Sequence, residues 1–348
     1  MMEEKPNVLF FANIPVEGEH RSIGGATVLA KKIKDYLSLD ERISCHHVQI
    51  RSFWRSKFQL LDYFIWALKF PFLIRKVDVV SFHGTKDFHF TIAPILWAWA
   101  KLCKKKVCYH FFGGNFHEQY DAFPGFIKYL LRKTILNSDT VFFETIEMLK
   151  YFEKRHIKNS VWLPNSRAAV LNTRERKEFR KKFVFISRVI PQKGIGEIIE
   201  AANLLSKDYT VDVYGPIDDR YYTERVFKNS NATYKGLLDP KDVIDKLFEY
   251  DVLLLPSYFS GEGYPGIIIE ALSVSMPVIA TKWMALPEII TTEHNGILIE
   301  IKNTNQLKNA ITSFNTENYG EYSNNALDSF KNFDSAIVFN KIIERYLL

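Results

Sequence analysis

The chain of 348 residues is poor in cysteine: Cys45, Cys103 and Cys108 are odd in number and show no Cys-x-x-Cys spacing. That excludes a disulfide framework and a cysteine-built zinc site, and their apolar settings predict buried free thiols. No Asp-x-Asp pair occurs, and no His or Cys pair has ligand spacing, so no metal and no resident cofactor are expected. Low-complexity tracts are missing, and with 47% hydrophobic and 25% charged residues the composition is that of a folded chain with a sizeable core. There is no apolar run long enough to span a bilayer, because Asp62, Lys69 and Pro71 interrupt the richest stretch, 51–76. The amino terminus, acidic and with only a short apolar run, lacks the regions of a secretion signal, so a cytoplasmic location is expected.

The length suits two domains. Net charge is +6, unevenly spread: residues 1–170 hold 25 Lys and Arg against 16 Asp and Glu, and the remainder 21 against 24. A basic first half is compatible with an anionic partner such as a membrane surface or a phosphorylated substrate. Nucleic acid is not expected, since the basic residues are scattered and no recognition motif accompanies them.

Short apolar runs alternate with helical periodicity twice over. In the first half "NVLFFAN", "DVVSFHG", "KVCYHFFGG", "DTVFFET" and "SVWLPNS" read as strands. After the polar stretch "LNTRERKEFRKK" the pattern restarts with "FVFISRV", "YTVDVYG", "ATYKGLL", "DVLLLPS" and "PVIAT". This predicts an α/β fold of two Rossmann-like, doubly wound parallel sheets facing a central cleft. The domains are expected at 1–170 and 171–330. Residues 331–348 form a helix that closes the second domain or crosses back to the first.

The stretch "SGEGYPGIIIEALSVSMPVIAT" (260–281) carries the sharpest chemical signal. Pro265 fits the first position of a helix following a buried strand. The amides of Gly263, Tyr264 and Gly266, with the helix dipole, favour an anion there. Glu262 and Glu270 are acceptors suited to hydroxyls, so a ligand with both a diphosphate and sugar hydroxyls would use both kinds of group. A nucleotide sugar has that chemistry.

This segment resembles the Glu-x7-Glu signature of retaining glycosyltransferases of family 4, which have the GT-B fold. The resemblance extends to "FVFISRVIPQKGIGEIIEA" (183–201), where Arg188 and Lys193 occupy the family's two basic positions. It implies that Arg188 and Lys193 neutralise a leaving nucleoside diphosphate, that Glu262 holds donor-sugar hydroxyls and that Glu270 accepts hydrogen bonds from the ribose. Gly215 in "YGP", with Gly236 and Leu237 in "KGLL", resembles the loops around the base. Gly24 and Gly25 in "SIGGAT" resemble the glycine-rich loop that brings backbone N–H groups toward donor phosphate or acceptor.

In "HFFGGNFHEQYD" the candidate acceptor contacts are Gly113, Gly114, His110 and His117. Many relatives carry a histidine directly before this glycine; this chain has Phe112, and His110, like His83, reads as a core histidine. Two further departures are Ser275, where a turn glycine is usual and a left-handed backbone would cost about 1 kcal/mol, and Met284-Ala285 in place of Gly-Gly.

The activity implied is transfer of a sugar from a nucleoside diphosphate sugar to a glycan or lipid-pyrophosphate-linked acceptor, with retention and without a divalent metal, in assembly of cell-surface polysaccharide. The alternatives are a nucleotide-sugar epimerase on the same fold and a non-catalytic nucleotide-sugar-binding protein. Residues 51–76 also fit an interfacial segment on the inner face of an anionic membrane, with Trp54, Trp66 and Phe70 at the lipid boundary and Arg51, Arg55 and Lys57 near headgroups. Packing of these aromatics on the first sheet is the competing reading.

Overall fold

The computed structural model describes residues 5–19, 22, 24–51, 58–170 and 178–348. Two compact units are present: 1–165 together with 336–348, and 166–335. Each is built on a six-stranded sheet whose strands pair in parallel.

In the first unit the strands are β1 (Asn7–Ala12), β2 (Ser44–Gln49), β3 (Val79–Gly84), β4 (Lys106–Phe111), β5 (Thr140–Phe143) and β6 (Ser160–Trp162), in the order β2-β1-β3-β4-β5-β6. β1, β3, β4 and β5 are buried on both faces, which is why they read as unbroken apolar runs. β2 escaped the sequence reading because, as an edge strand carrying Cys45, His46 and His47, it shows no apolar run.

The second unit contains β7 (Lys182–Ile186), β8 (Thr210–Tyr214), β9 (Ala232–Tyr234), β10 (Val252–Leu255), β11 (Val278–Thr281) and β12 (Gly296–Ile299), in the order β12-β11-β10-β7-β8-β9. β12, also at an edge, is a four-residue strand that was not anticipated. The order reverses between β7 and β10, which opens a crevice beyond the carboxyl ends of those two strands.

The closing helix, Ser335–Leu347, places Val338, Phe339, Ile342, Ile343 and Tyr346 in one core with Val8, Phe10 and Leu29 of the first unit. The Tyr346 hydroxyl donates to Ser81 Oγ on β3 at 2.7 Å.

Two expectations are corrected. Cys103 is exposed at the end of the Ala93–Leu102 helix, while Cys108 is buried and Cys45 half-buried. The Gln59–Leu73 helix turns Phe70 wholly inward, and its Trp66 is half-buried with the indole N–H on the Ile50 carbonyl at 2.7 Å, so neither can stand at a lipid boundary. The period of the helix puts these two on the sheet side and leaves Leu60, Phe64, Leu68 and Phe72 outside. Trp54, Arg55 and Lys57 lie outside the described residues. Among the described residues no helix is long and apolar enough to cross a membrane.

Candidate functional site

The loops beyond β7 and β10 meet because of one residue. Gly194 has φ 76°, and a Cβ there would stand 2.3 Å from the Pro256 carbonyl oxygen, so only glycine lets the first loop lie against the second. The short turn Pro191–Lys193 just before it delivers Lys193 to the β10 loop.

Lys193 Nζ stands 2.5 Å from Glu262 Oε2, and the two residues are only 7% and 6% exposed. The Ser257 hydroxyl donates to the same oxygen, and the Thr281 hydroxyl donates in turn to the Ser257 carbonyl. Glu262 is thus a buried carboxylate balanced by a buried ammonium rather than an exposed acceptor. Such a pair is costly to break, because either partner alone would be an uncompensated buried charge.

Arg188 is exposed, and its guanidinium lies 5.3 Å from the centroid of Phe259, whose ring also takes the Lys193 ammonium at 5.2 Å. Behind Arg188 the loop is held by Gly215 (φ 132°), where a Cβ would come 1.9 Å from the Ser187 carbonyl oxygen. The Gly215 N–H donates to the Gly236 carbonyl at 3.0 Å, and the neighbouring Leu237 is exposed.

The Gly266–Ser273 helix starts beside this cluster, with Pro265 as its cap rather than its first residue. Among the described residues the N–H groups of Gly263, Gly266 and Ile267 have no acceptor. Free amides and the exposed guanidinium of Arg188 at one helix start, with the Lys193–Glu262 pair neutral between them, favour an anion. Tyr264 is buried, its hydroxyl donating to Glu288 Oε2 at 2.5 Å. Glu270 sits one turn into the helix, with Oε1 taken by Arg167 Nε at 2.5 Å. Arg167, Ser257 and Phe259 were missed from sequence: none falls in the acid or basic motif, and no spacing links Arg167 to a helix 100 residues away.

Where glycine was expected, Ser275 does adopt a left-handed backbone, φ 60°, and Met284 does so at φ 47°.

The first-unit candidates gather at the carboxyl edge of its sheet. Gly24 caps the Gly25–Leu39 helix, and its N–H donates to Thr27 Oγ1 at 3.0 Å. Gly113, φ 95°, follows β4 and donates its N–H to Glu144 Oε2 at 2.8 Å; Gly114 beside it is buried.

His110 is fully enclosed, its Nδ1 3.2 Å from His83 Nδ1, and His83 Nε2 lies 2.8 Å from Ser81 Oγ. Burial drives the His110 imidazole down to about 3 and His83 well below its ordinary value, so both are neutral core groups. His117 is buried, with Nε2 3.5 Å from Glu147 Oε1.

Residues 180–316 match the family model described as glycosyl transferases group 1. Among curated relatives, the amylovoran biosynthesis glycosyltransferase AmsK of Erwinia amylovora is 29% identical over 33% of this chain and 30% of its own. N,N'-diacetylbacillosaminyl-diphospho-undecaprenol alpha-1,3-N-acetylgalactosaminyltransferase of Campylobacter jejuni is 27% identical over 37% of this chain and 34% of its own. The matched stretch spans 37% and 36% of the length of two further curated relatives. Among solved structures, Anabaena HepE in complex with UDP is similar with a TM-score of 0.71, at 14% identity, over 97% of this chain and 98% of that one. That likeness is one of fold: two Rossmann-like domains, each on a parallel sheet.

Proposed function

We propose that this chain, whose residues 180–316 form a glycosyltransferase region of group 1 type, transfers a sugar from a nucleoside diphosphate sugar to a glycan or lipid-pyrophosphate-linked acceptor, with retention, in surface-polysaccharide assembly. The observation that carries the reading is the cluster at the β7/β10 reversal: Arg188 and the Lys193–Glu262 pair around Phe259, beside the bare amides of Gly263, Gly266 and Ile267.

As the bond between the anomeric carbon and the diphosphate oxygen breaks, negative charge grows on the departing phosphate. Arg188, Lys193 and the helix amides supply the opposing charge without a divalent ion. In this reading Glu262, its Oε2 held by Lys193 and Ser257, takes the donor-sugar hydroxyls on Oε1. The polysaccharide context draws on the Erwinia relative, and a lipid-linked acceptor on the Campylobacter one.

A membrane-facing surface belongs to the same reading. Leu60, Phe64, Leu68 and Phe72 are exposed along one face of the Gln59–Leu73 helix, and Ile95, Trp99 and Leu102 along the adjacent Ala93–Leu102 helix. Lys69, Arg75, Lys76 and Lys104 are exposed around them, a basic rim suited to anionic headgroups.

The test is a thermal-shift screen of nucleoside diphosphate sugars, followed by product analysis with and without a panel of lipid-pyrophosphate acceptors. Stabilisation by one donor and transfer with retained anomeric configuration are expected. Absence of donor stabilisation sinks the reading, and sugar conversion without acceptor points to the epimerase instead. Sedimentation with anionic vesicles at low salt, lost at high salt, is expected for the apolar face; no sedimentation at low salt argues for a soluble acceptor.

A further inference from the structure

Glu270 is held by a residue no motif announced. Arg167 Nε donates to Glu270 Oε1 at 2.5 Å, and Nη1 donates to the Ser166 carbonyl at 2.9 Å. The far nitrogen lies so close above Gly266 that a Cβ there would be 1.6 Å from it. Both side chains are largely enclosed, 16% and 21% exposed.

The backbone of Arg167 is fixed as well. Its N–H donates to the Phe333 carbonyl at 3.0 Å and its own carbonyl accepts from Ser335 N–H at 2.8 Å. A guanidinium over a helix start stands where the dipole least favours a cation. The carboxylate one turn along offsets that cost, so the two side chains fix each other. Only Glu270 Oε1 is used: among the described residues Oε2 has no protein partner.

We propose that Arg167 is a positioning residue for the nucleoside end of the donor: by gripping Oε1 it orients Glu270 so that Oε2 accepts hydrogen bonds from the vicinal ribose hydroxyls. The inference rests on the donor-site reading above. A lysine cannot reproduce it, because an ammonium does not present Nε and Nη nitrogens in one rigid plane to Glu270, Ser166 and the Gly266 backbone at once.

The experiment measures dissociation constants of UDP, GDP and ADP, and of their 2′,3′-dideoxy counterparts, for the whole chain and for Arg167→Ala and Arg167→Lys. For the diphosphate that binds best, both variants are expected to weaken affinity about tenfold, while affinity for the dideoxy counterpart stays unchanged. Melting curves run alongside identify an unfolded variant, and Arg167→Lys, which keeps the charge and most of the packing, then carries the comparison.

Equal loss for the ribose and dideoxy forms would reduce Arg167 to a structural role and overturn the proposal. Unchanged or tighter binding would overturn it too, the latter making Arg167 a blocking side chain. If the unaltered chain binds none of the three diphosphates, the donor-site reading fails and takes this inference with it; if it binds one and the variants match it, only this inference fails.

Discussion

Replacing Lys193 by methionine keeps most of the side chain's length and deletes its charge, leaving Glu262 without its counter-charge in a pocket where it is 6% exposed. Breaking a buried pair from one side costs about 3–5 kcal/mol. Here Ser257 still donates to Glu262, and a hydrogen bond to a charged group recovers about 1.5 kcal/mol or more. The expected loss is therefore near the lower end, roughly 3 kcal/mol. For a unit of this size each kcal/mol lowers the melting temperature by about 2–4 °C, so calorimetry should show the second unit melting about 6–12 °C earlier.

The double variant Lys193→Met with Glu262→Gln removes both charges and should recover most of that loss. Recovery of about 2 kcal/mol relative to Lys193→Met alone is then the signature of an ion pair that stabilises through mutual neutralisation. A double variant as unstable as Lys193→Met alone would refute the reasoning, since the damage would then come from packing and not from an orphaned carboxylate. Trp283, the one tryptophan of the second unit, donates its indole N–H to the Phe259 carbonyl at 2.9 Å, and a fluorine label there reports the same transition locally.

Three more expectations follow from particular residues. His110 and His89 are held down to about 3 by burial, and His83 is also depressed. The unfolded chain therefore binds their protons below about pH 6.5 while the folded one does not, so stability is full above that pH and falls by about 1.4 kcal/mol per pH unit per histidine as the medium is acidified toward 3. Urea titrations at pH 7 and pH 5 should differ by about 2 kcal/mol for each of His110 and His89, with His83 adding in the same direction, and a flat response contradicts their burial as neutral groups. Ser275→Gly relieves a left-handed backbone and should raise stability by up to about 1 kcal/mol, read as a higher urea midpoint; a lower midpoint speaks against strain there. Arg188→Ala should slow sugar transfer about a hundredfold with the melting temperature unchanged, because the side chain is exposed, and unaltered turnover removes Arg188 from the leaving-group site; EDTA should leave transfer intact.

The central strands were legible because burial on both faces demands unbroken apolar runs, as in "NVLFFA" and "VLLL". Two of the four edge strands were not: β2 carries a polar sequence, half-exposed along its length, and the run of β12 sits among polar turns, whereas the edges β6 and β9 were read from "SVWLPNS" and "ATYKGLL". At the candidate site, Glu262 and Lys193 were each visible as motif residues, yet nothing local reveals that they neutralise each other across 69 positions. Arg167 was still less accessible, since its meaning comes from a turn of backbone pinned between Phe333 and Ser335. Long-range pairing of charges is a property of the folded surface, and period or composition carries no trace of it.

The stretch 336–348 completes the core that begins with β1, although the whole of 166–335 lies between them in the chain. During synthesis on the ribosome the second unit can therefore close as soon as it emerges, while the first waits with an open apolar seam along Val8, Phe10 and Leu29. Five side chains fill that seam at the end, with burial energies of about 1.5–3 kcal/mol each. Translation order thus makes the portion of the chain that is made first the last to mature, and a nascent chain stalled before residue 336 would hold a finished carboxyl-proximal unit beside an amino-proximal one in need of a chaperone.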